Sequence, residues 1–451
     1  MKKIFLTSIL ILATLSQSLF AQNPTTYFME GSTFRTKWNP AFAPQRGYIN
    51  IPVLGGIELS TNGNVALDNL LFVQGGKLST IFSSSVPTTL ALSELESTNR
   101  FGESNTINLI GFGAYSSNQK SFWSVAINLR TNVDAQLPYS FFDFMKTGKA
   151  QDISGIGFHA DCYAEATFTH SFPLAKNLYF GFSGKFLMGL ARGRFYFDKF
   201  DAQMNADRWS ANAVGVMELN GFDIPTSTSN DGSLCYDDLG DSSFNSKPAG
   251  YGFGVDVGVT YDVLPELQLS ASVNDIGCMF WSKKHSSMGV VNKTIEFTGV
   301  EVDPEGNATH PTFDLDELEF EVADEKGISE MLTTSLNLGA EYNFLDRRIS
   351  VGLFYNAAFW EYKTRHNLTA SANFRPLSWL HASGSYSFIN NEASAAGLAL
   401  NICPGWINFF VGTDILLSKK TPQWIPVSQS NMNITFGLGI PLGRRGTRHE
   451  L

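Results

Sequence analysis

The chain has 451 residues and a formal net charge of −10, with 13% aromatic and 16% charged residues. An ordinary soluble domain carries about 25% charged residues, so this shortfall, with 40 Gly and 37 Phe, points to a surface partly in contact with lipid. The acidic balance offers no basic stripe for nucleic acid. After residue 21 no apolar run reaches about 18 residues, which excludes a helical membrane span but not the shorter spans of a β-barrel.

The chain opens "MKKIFLTSILILATLSQSLFAQ", with Lys2 and Lys3 ahead of an apolar run from Ile4 to Leu15 and a small residue, Ala21, at the cleavage point. Residues 1–21 are therefore read as a signal peptide and the mature protein as exported. No Cys follows the cleavage point to carry a lipid. Residues 22–50 are read as a periplasmic hatch segment. The stretch "TFRTKWNPAFAPQRGYINIP", residues 33–52, does not alternate and carries Pro40, Pro44 and Pro52, which argues against a central strand.

The barrel itself is read as 51–441, opening with a strand at 51–61 and closing with one at 431–441. In between, residues 64–105 break the strand pattern. Leu67, Leu70 and Leu71, then Leu78, Ile81 and Phe82, have helical spacing and predict short amphipathic helices, which either gather a greasy substrate or simply pack over the mouth.

From residue 106 onward, alternation with a period of two dominates. "YAEATFTHSF" (163–172), "LYFGFSGKFLM" (178–188), "DVGVTYDVLPELQLSASVND" (256–275) and "LTTSLNLGAEYNF" (332–344) each set an apolar row against a polar one. Short turns fall at 117–120, 173–177, 264–266, 345–347, 376–378 and 404–405, while long connections span 131–158, 191–250 and 280–331. Short turns on one side and long loops on the other predict an all-β, transmembrane antiparallel β-barrel. Six hairpins with a first and a last strand make about fourteen strands, an even number that returns both chain ends to the short-turn side.

Lipid then meets the apolar rows and the lumen receives the polar ones. Glu165, Lys185, Asp256, Glu341, His381 and Asp414 all fall on the inward parity, where charges of both signs either brace the barrel or shape a substrate path. Tyr115, Trp123, Phe172, Tyr261, Phe344, Trp379 and Trp406 beside the short turns, with Phe280, Trp281, Phe359, Trp360 and Phe388 at the opposite strand ends, predict two interfacial girdles. The acidic segment 301–327 reads as a solvated loop or, alternatively, a cation-binding one, although it lacks ordered ligand spacing. Cys162, Cys235, Cys278 and Cys403 form no C-x-x-C pair, and a Cys235–Cys278 disulfide between loops stays open. No metal or cofactor is expected. His381 and Ser383 have the residue types of a base and a nucleophile, but both face the lumen, and the chain is read as a non-enzyme.

Asn39, Pro40 and Ala41 form an Asn-Pro-Ala motif, and in this the chain resembles the FadL fatty-acid transporter superfamily, whose N-terminal hatch carries such a motif. The run "NPAF" followed by "GYINIPVLGGIEL" is similar to a family of Bacteroidota outer-membrane proteins of unknown function. The resemblance implies residence in the Gram-negative outer membrane and passive uptake of hydrophobic small molecules through a hatch-gated lumen with lateral exit. The partners it implies are outer-membrane lipid and a hydrophobic ligand. It carries no ligand-contacting residue position by position, because the long loops do not match. One departure is the short basic tail, 442–451, beyond "FGLGIPLG", which shifts the expected assembly signal to Phe436–Ile440. Two other readings remain: a non-transporting barrel that serves a secretion or surface-assembly system, and a soluble secreted β-protein recovered without detergent.

Overall fold

A strand of alternating residues must present one apolar and one polar face, and pairing in register keeps those faces in phase from strand to strand. The computed structural model describes residues 24–65, 67–74, 77–204, 208–229, 232–237, 242–245, 247–298, 319–359, 364–389, 393–416, 432–444 and 446. The proposed signal peptide, Trp360, most of the acidic segment and the end of the tail lie outside these residues.

Strand β1 comes in two pieces, Gly47–Asn50 and Ile57–Gly63. It is followed by β2 (Thr98–Tyr115), β3 (Phe122–Pro138), β4 (Gly157–Ala175), β5 (Leu178–Met204), β6 (Gly250–Asp262), β7 (Leu267–Trp281) and β8 (Thr334–Phe344). The remainder are β9 (Ile349–Phe359), β10 (Thr364–Leu377), β11 (Leu380–Ile389), β12 (Ala393–Ile402), β13 (Asn408–Leu416) and β14 (Met432–Leu442). Each pairs antiparallel with the next, and β14 pairs back onto both pieces of β1, closing a barrel of fourteen strands. Closure leaves no free edge at membrane depth, where unpaired backbone groups cannot be satisfied.

The barrel is apolar outside and polar inside. On β6 and β7, Val257 faces Val273, Val259 faces Ala271 and Tyr261 faces Leu269, while the alternate pairs are Gly258–Ser272 and Thr260–Ser270. Tyr251, Phe253, Val255 and Val257 are exposed, whereas Asp256, Thr260, Ser270 and Ser272 are buried. That distribution suits a lipid surround. Val257→Lys, midway along β6, is expected to cost about 2 to 4 kcal/mol in reversible folding into bilayer vesicles, against about 0 to 1 for Tyr261→Lys at the interface. Equal costs would count against this placement of the membrane.

Several expectations are corrected. The first strand begins at Gly47, ahead of 51, and is interrupted over 51–56, where Pro52 lacks an amide donor and Val53 takes a φ of 67°. The detour still hydrogen-bonds to both neighbours, Val53 N–H to Leu109 O and Leu438 N–H to Leu54 O. The helices expected over 64–105 shrink to single turns, Leu67–Leu70 and Thr88–Ala91. Leu78 instead lies in a hairpin, Leu71–Gln74 with Lys77–Thr80, because the intervening Gly75-Gly76 is a hairpin signal that outweighs the apolar spacing. Cys235 and Cys278 are both free thiols, not a disulfide.

The long connections are largely sheet. β5 runs for 27 residues, and above Gly189 it exchanges its partner β6 for a returning strand, Arg208–Asn220, which in turn pairs with Ser286–Thr298. Beyond the lipid this sheet rises on one side of the mouth around a core of Phe144, Ile153, Phe197, Phe200, Met217, Val291 and Phe320. Extending the ladder satisfies backbone groups that a loop would leave to water.

Candidate functional site

The N-terminal segment lies inside the barrel. Every residue from Pro24 to Thr36 is buried, as are Asn39 to Pro44. The Asn39 carbonyl and side chain bend the chain back on itself, accepting from Phe42 N–H and Ala41 N–H, while the Asn39 amide donates to the carbonyls of Val259 and Ala271 at 3.2 Å each. Ser171 on β4 donates to the Ala41 carbonyl at 2.7 Å, and the Trp38 carbonyl accepts from Ser272, Asn274 and Asn337. This seating needs glycine in the wall: a Cβ on Gly181 would stand 2.2 Å from the Pro40 carbonyl carbon, and one on Gly258 would stand 2.0 Å from Asn39 Oδ1.

Rings and charges secure the rest of the segment. Tyr27 stacks on Phe354 at 4.0 Å and packs edge-on against Phe28, Phe42 and Trp38; burial pushes its hydroxyl up to about 12, so it stays protonated beside Ser270. Thr25 donates to Asp414 and lies against Ser385. Glu30 pairs with Arg347, and Arg375 pairs with Glu341 while also donating to the Phe28 carbonyl. His381 is buried beside Gln45, whose amide also reaches Glu30. Ser383 donates to Asn373, so it is not delivered to the imidazole as a nucleophile would be.

Above the segment lies a second constellation. Arg130 on β3 holds Glu165 at 2.9 Å and takes Asp275 with both terminal nitrogens, at 3.0 and 3.2 Å; Lys185 on β5 reaches Asp275 at 2.6 Å and Asp256 at 2.8 Å. Glu165, Asp256, Glu341, His381 and Asp414 are buried and Lys185 lines the cavity; of the five charged ones, Glu165, Lys185, Asp256 and Glu341 are ion-paired rather than open. Asp275 escapes simple parity. Between Val255 and Val257 the register shifts so that Asn274 and Asp275 oppose the single residue Asp256, with Asp275 at a φ of 58°. The bulge turns Asp275 into the lumen and reverses the faces beyond it. Trp281, expected in the outer girdle, is therefore buried, and its indole N–H donates to Glu330, which also binds Arg192. Arg130, Arg375 and Glu30 were missed as site residues; Arg130 and Arg375 nevertheless stand on the same inward parity as Asn128 and Asn373.

Between the two constellations and the mouth remains a cavity of about 820 Å³. Phe34, Trp38, Tyr48, Tyr163, Met279 and Trp281 line it beside the paired charges and many Asn, Ser and Thr side chains. The lining is mixed, with apolar surface for a small molecule and polar groups to orient it.

No curated protein matches the chain. Among solved structures it is similar to the "TodX deltaS2S3 mutant monoaromatic hydrocarbon channel", 10% identical with a TM-score of 0.45 over 94% of this chain and 96% of that one. It is also similar to the "CymD monoaromatic hydrocarbon channel", 9% identical with a TM-score of 0.42 over 94% and 97%. A Pseudomonas aeruginosa FadL homologue is 10% identical, with a TM-score of 0.39 over 94% of each chain. The sequence match is to a family model: residues 40–414 fit the family of unknown function DUF5723, and over that span of its length the chain belongs to this family.

Proposed function

We propose that the protein is a passive outer-membrane conduit for small molecules with an apolar body, kept shut by its own N-terminal segment. The observation that carries this reading is that residues 24–44 occupy the short-turn half of the lumen directly beneath the 820 Å³ cavity. The segment is held by hydrogen bonds, packing and ion pairs, all of which are reversible. A solute entering from the long-loop side meets Trp38 and Phe34 as the floor of the cavity. Its way on is lateral: Phe34 fills the space behind Gly56 in the β1 detour, where Val53 and Leu54 are exposed on the outer face.

Native mass spectrometry of the detergent-purified protein tests the reading. A discrete apolar species is expected to co-purify and to be lost when Asn39 and Pro40 are replaced. An empty barrel arriving with a stoichiometric protein would instead favour the surface-assembly reading, to which the raised sheet on one side of the mouth lends itself as a platform.

A further inference from the structure

A cation inside a barrel is costly to bury unless a carboxylate accompanies it. Lys37 has Glu58, Arg130 has Glu165 and Asp275, Lys185 has Asp256 and Asp275, Arg347 has Glu30, and Arg375 has Glu341. Arg35 also lacks a carboxylate at ion-pair distance, but it donates to the Tyr27 carbonyl and lies over the Phe42 ring. Arg365 has no such replacement among the described residues. It is the second residue of β10, on the inward parity of the buried Asn367, Thr369 and Ser371, and it lines the cavity. Among the described residues no carboxylate stands within ion-pair distance of its guanidinium, and no hydrogen bond is made to it.

The wall beside it is low. Across the ladder Arg365 faces Ala358 on β9, which faces Ser335 on β8. One step toward the short turns runs a row of buried amides, Asn337, Asn356 and Asn367. Asn356 donates to Asn337, and Asn337 donates to the Trp38 carbonyl, which ties this row to the N-terminal segment. A planar five-donor fork therefore stands unspent over a polar shelf in a compartment large enough for a small molecule.

We propose that Arg365 anchors an anionic group, a carboxylate or a phosphate, of a solute held in the cavity. The inference rests on the reading of that cavity as a solute compartment and adds the chemistry of one end of the solute. A guanidinium binds either group through two parallel hydrogen bonds, and such a contact sets orientation as well as affinity. The apolar lining from Trp38 to Trp281 is then left to the rest of the molecule.

The test is calorimetric titration of the full-length protein in a non-ionic detergent with inorganic phosphate, hexyl phosphate, hexanoate and hexanol. Hexyl phosphate and hexanoate are expected to bind at least about tenfold more tightly than hexanol, and Arg365→Gln to abolish that preference, the loss of one charge-assisted contact. Arg365→Lys should retain part of it, and Lys199→Gln, which removes an exposed cation on the raised sheet, should leave it intact. Phosphate binding as tightly as hexyl phosphate would identify a free anion as the ligand, and a preference for the hexyl chain an amphiphile. Hexanol matching hexanoate, an unchanged preference in Arg365→Gln, or no binding of any probe would overturn the anchor. None of these results touches the gate, whose failure is read separately from conductance.

Discussion

Arg375→Ala is expected to lower the stability of the folded barrel by about 3 to 5 kcal/mol, the cost of leaving a buried charge without its partner. The Arg375 and Glu341 side chains are 7% and 1% exposed and meet at 2.5 Å. The same guanidinium donates to Asn343 Oδ1, to the Arg347 carbonyl and to the Phe28 carbonyl, so one residue ties three parts of the wall to the N-terminal segment. Alanine would strand Glu341 with Ser350 as its remaining hydrogen-bond donor. Denaturant unfolding from vesicles measures the loss, and the double variant Arg375→Met with Glu341→Leu should recover more than half of it, because the charge goes with its partner. An unaltered midpoint for Arg375→Ala would mean that this network carries no stability.

Gly258→Val is expected to push the N-terminal segment off the wall and open the lumen to ions. The added Cβ would fall 2.0 Å from Asn39 Oδ1 and 2.9 Å from Pro40 Cδ, and Asn39 has little freedom to retreat because its amide is committed to the carbonyls of Val259 and Ala271. In planar bilayers the variant should conduct on the order of tenfold more than the wild type, since a fourteen-stranded barrel without its filling admits water. Residues 24–44 should at the same time become accessible to protease. Gly184→Val on β5 is the matched control, because nothing lies within 4 Å of the Cβ it would add. Conductance at the wild-type level in Gly258→Val would remove the case for this segment as the gate.

These two predictions draw on information of different origin. That Glu341 and Gly258 face inward follows from alternation alone, as does the inward placement of Glu165, Lys185, Asp256, His381 and Asp414. Period two is a local property, and a single row settles which residues share a face. Five of the six turns were equally legible, because Gly, Pro or Asn marks them, and their spacing yields an even strand number. Partners were not legible. Arg375 stands 34 residues from Glu341, and Thr25 stands 389 from Asp414, and no local pattern connects residues so far apart.

Two of the errors share one cause. Trp281 was placed in the outer girdle and Asp275 was passed over because a single extra residue at Asn274–Asp275 reverses every face beyond it, and a bulge leaves almost no mark in sequence. Its faint trace is an Asn-Asp pair two residues ahead of Gly277, residue types that tolerate a positive φ. The break at 51–56 was hidden inside an apolar run, and the helical spacing over 78–82 was overridden by the pairing of Leu71–Gln74 with Lys77–Thr80.

What the sequence determined by itself is therefore the class of structure: an antiparallel barrel with a polar lumen, short turns on one side, and a proline-bearing N-terminal stretch that, up to residue 46, is too irregular to join the wall. These are consequences of hydrophobic periodicity and backbone chemistry, which act between neighbours. Tertiary structure alone decided which part of the lumen the stretch occupies, which glycines receive it, how the buried charges pair, and that Arg365 is left facing the cavity. Those outcomes depend on closure of the barrel, which brings side chains from distant strands into one low-dielectric space where each charge must find a partner or wait for a ligand.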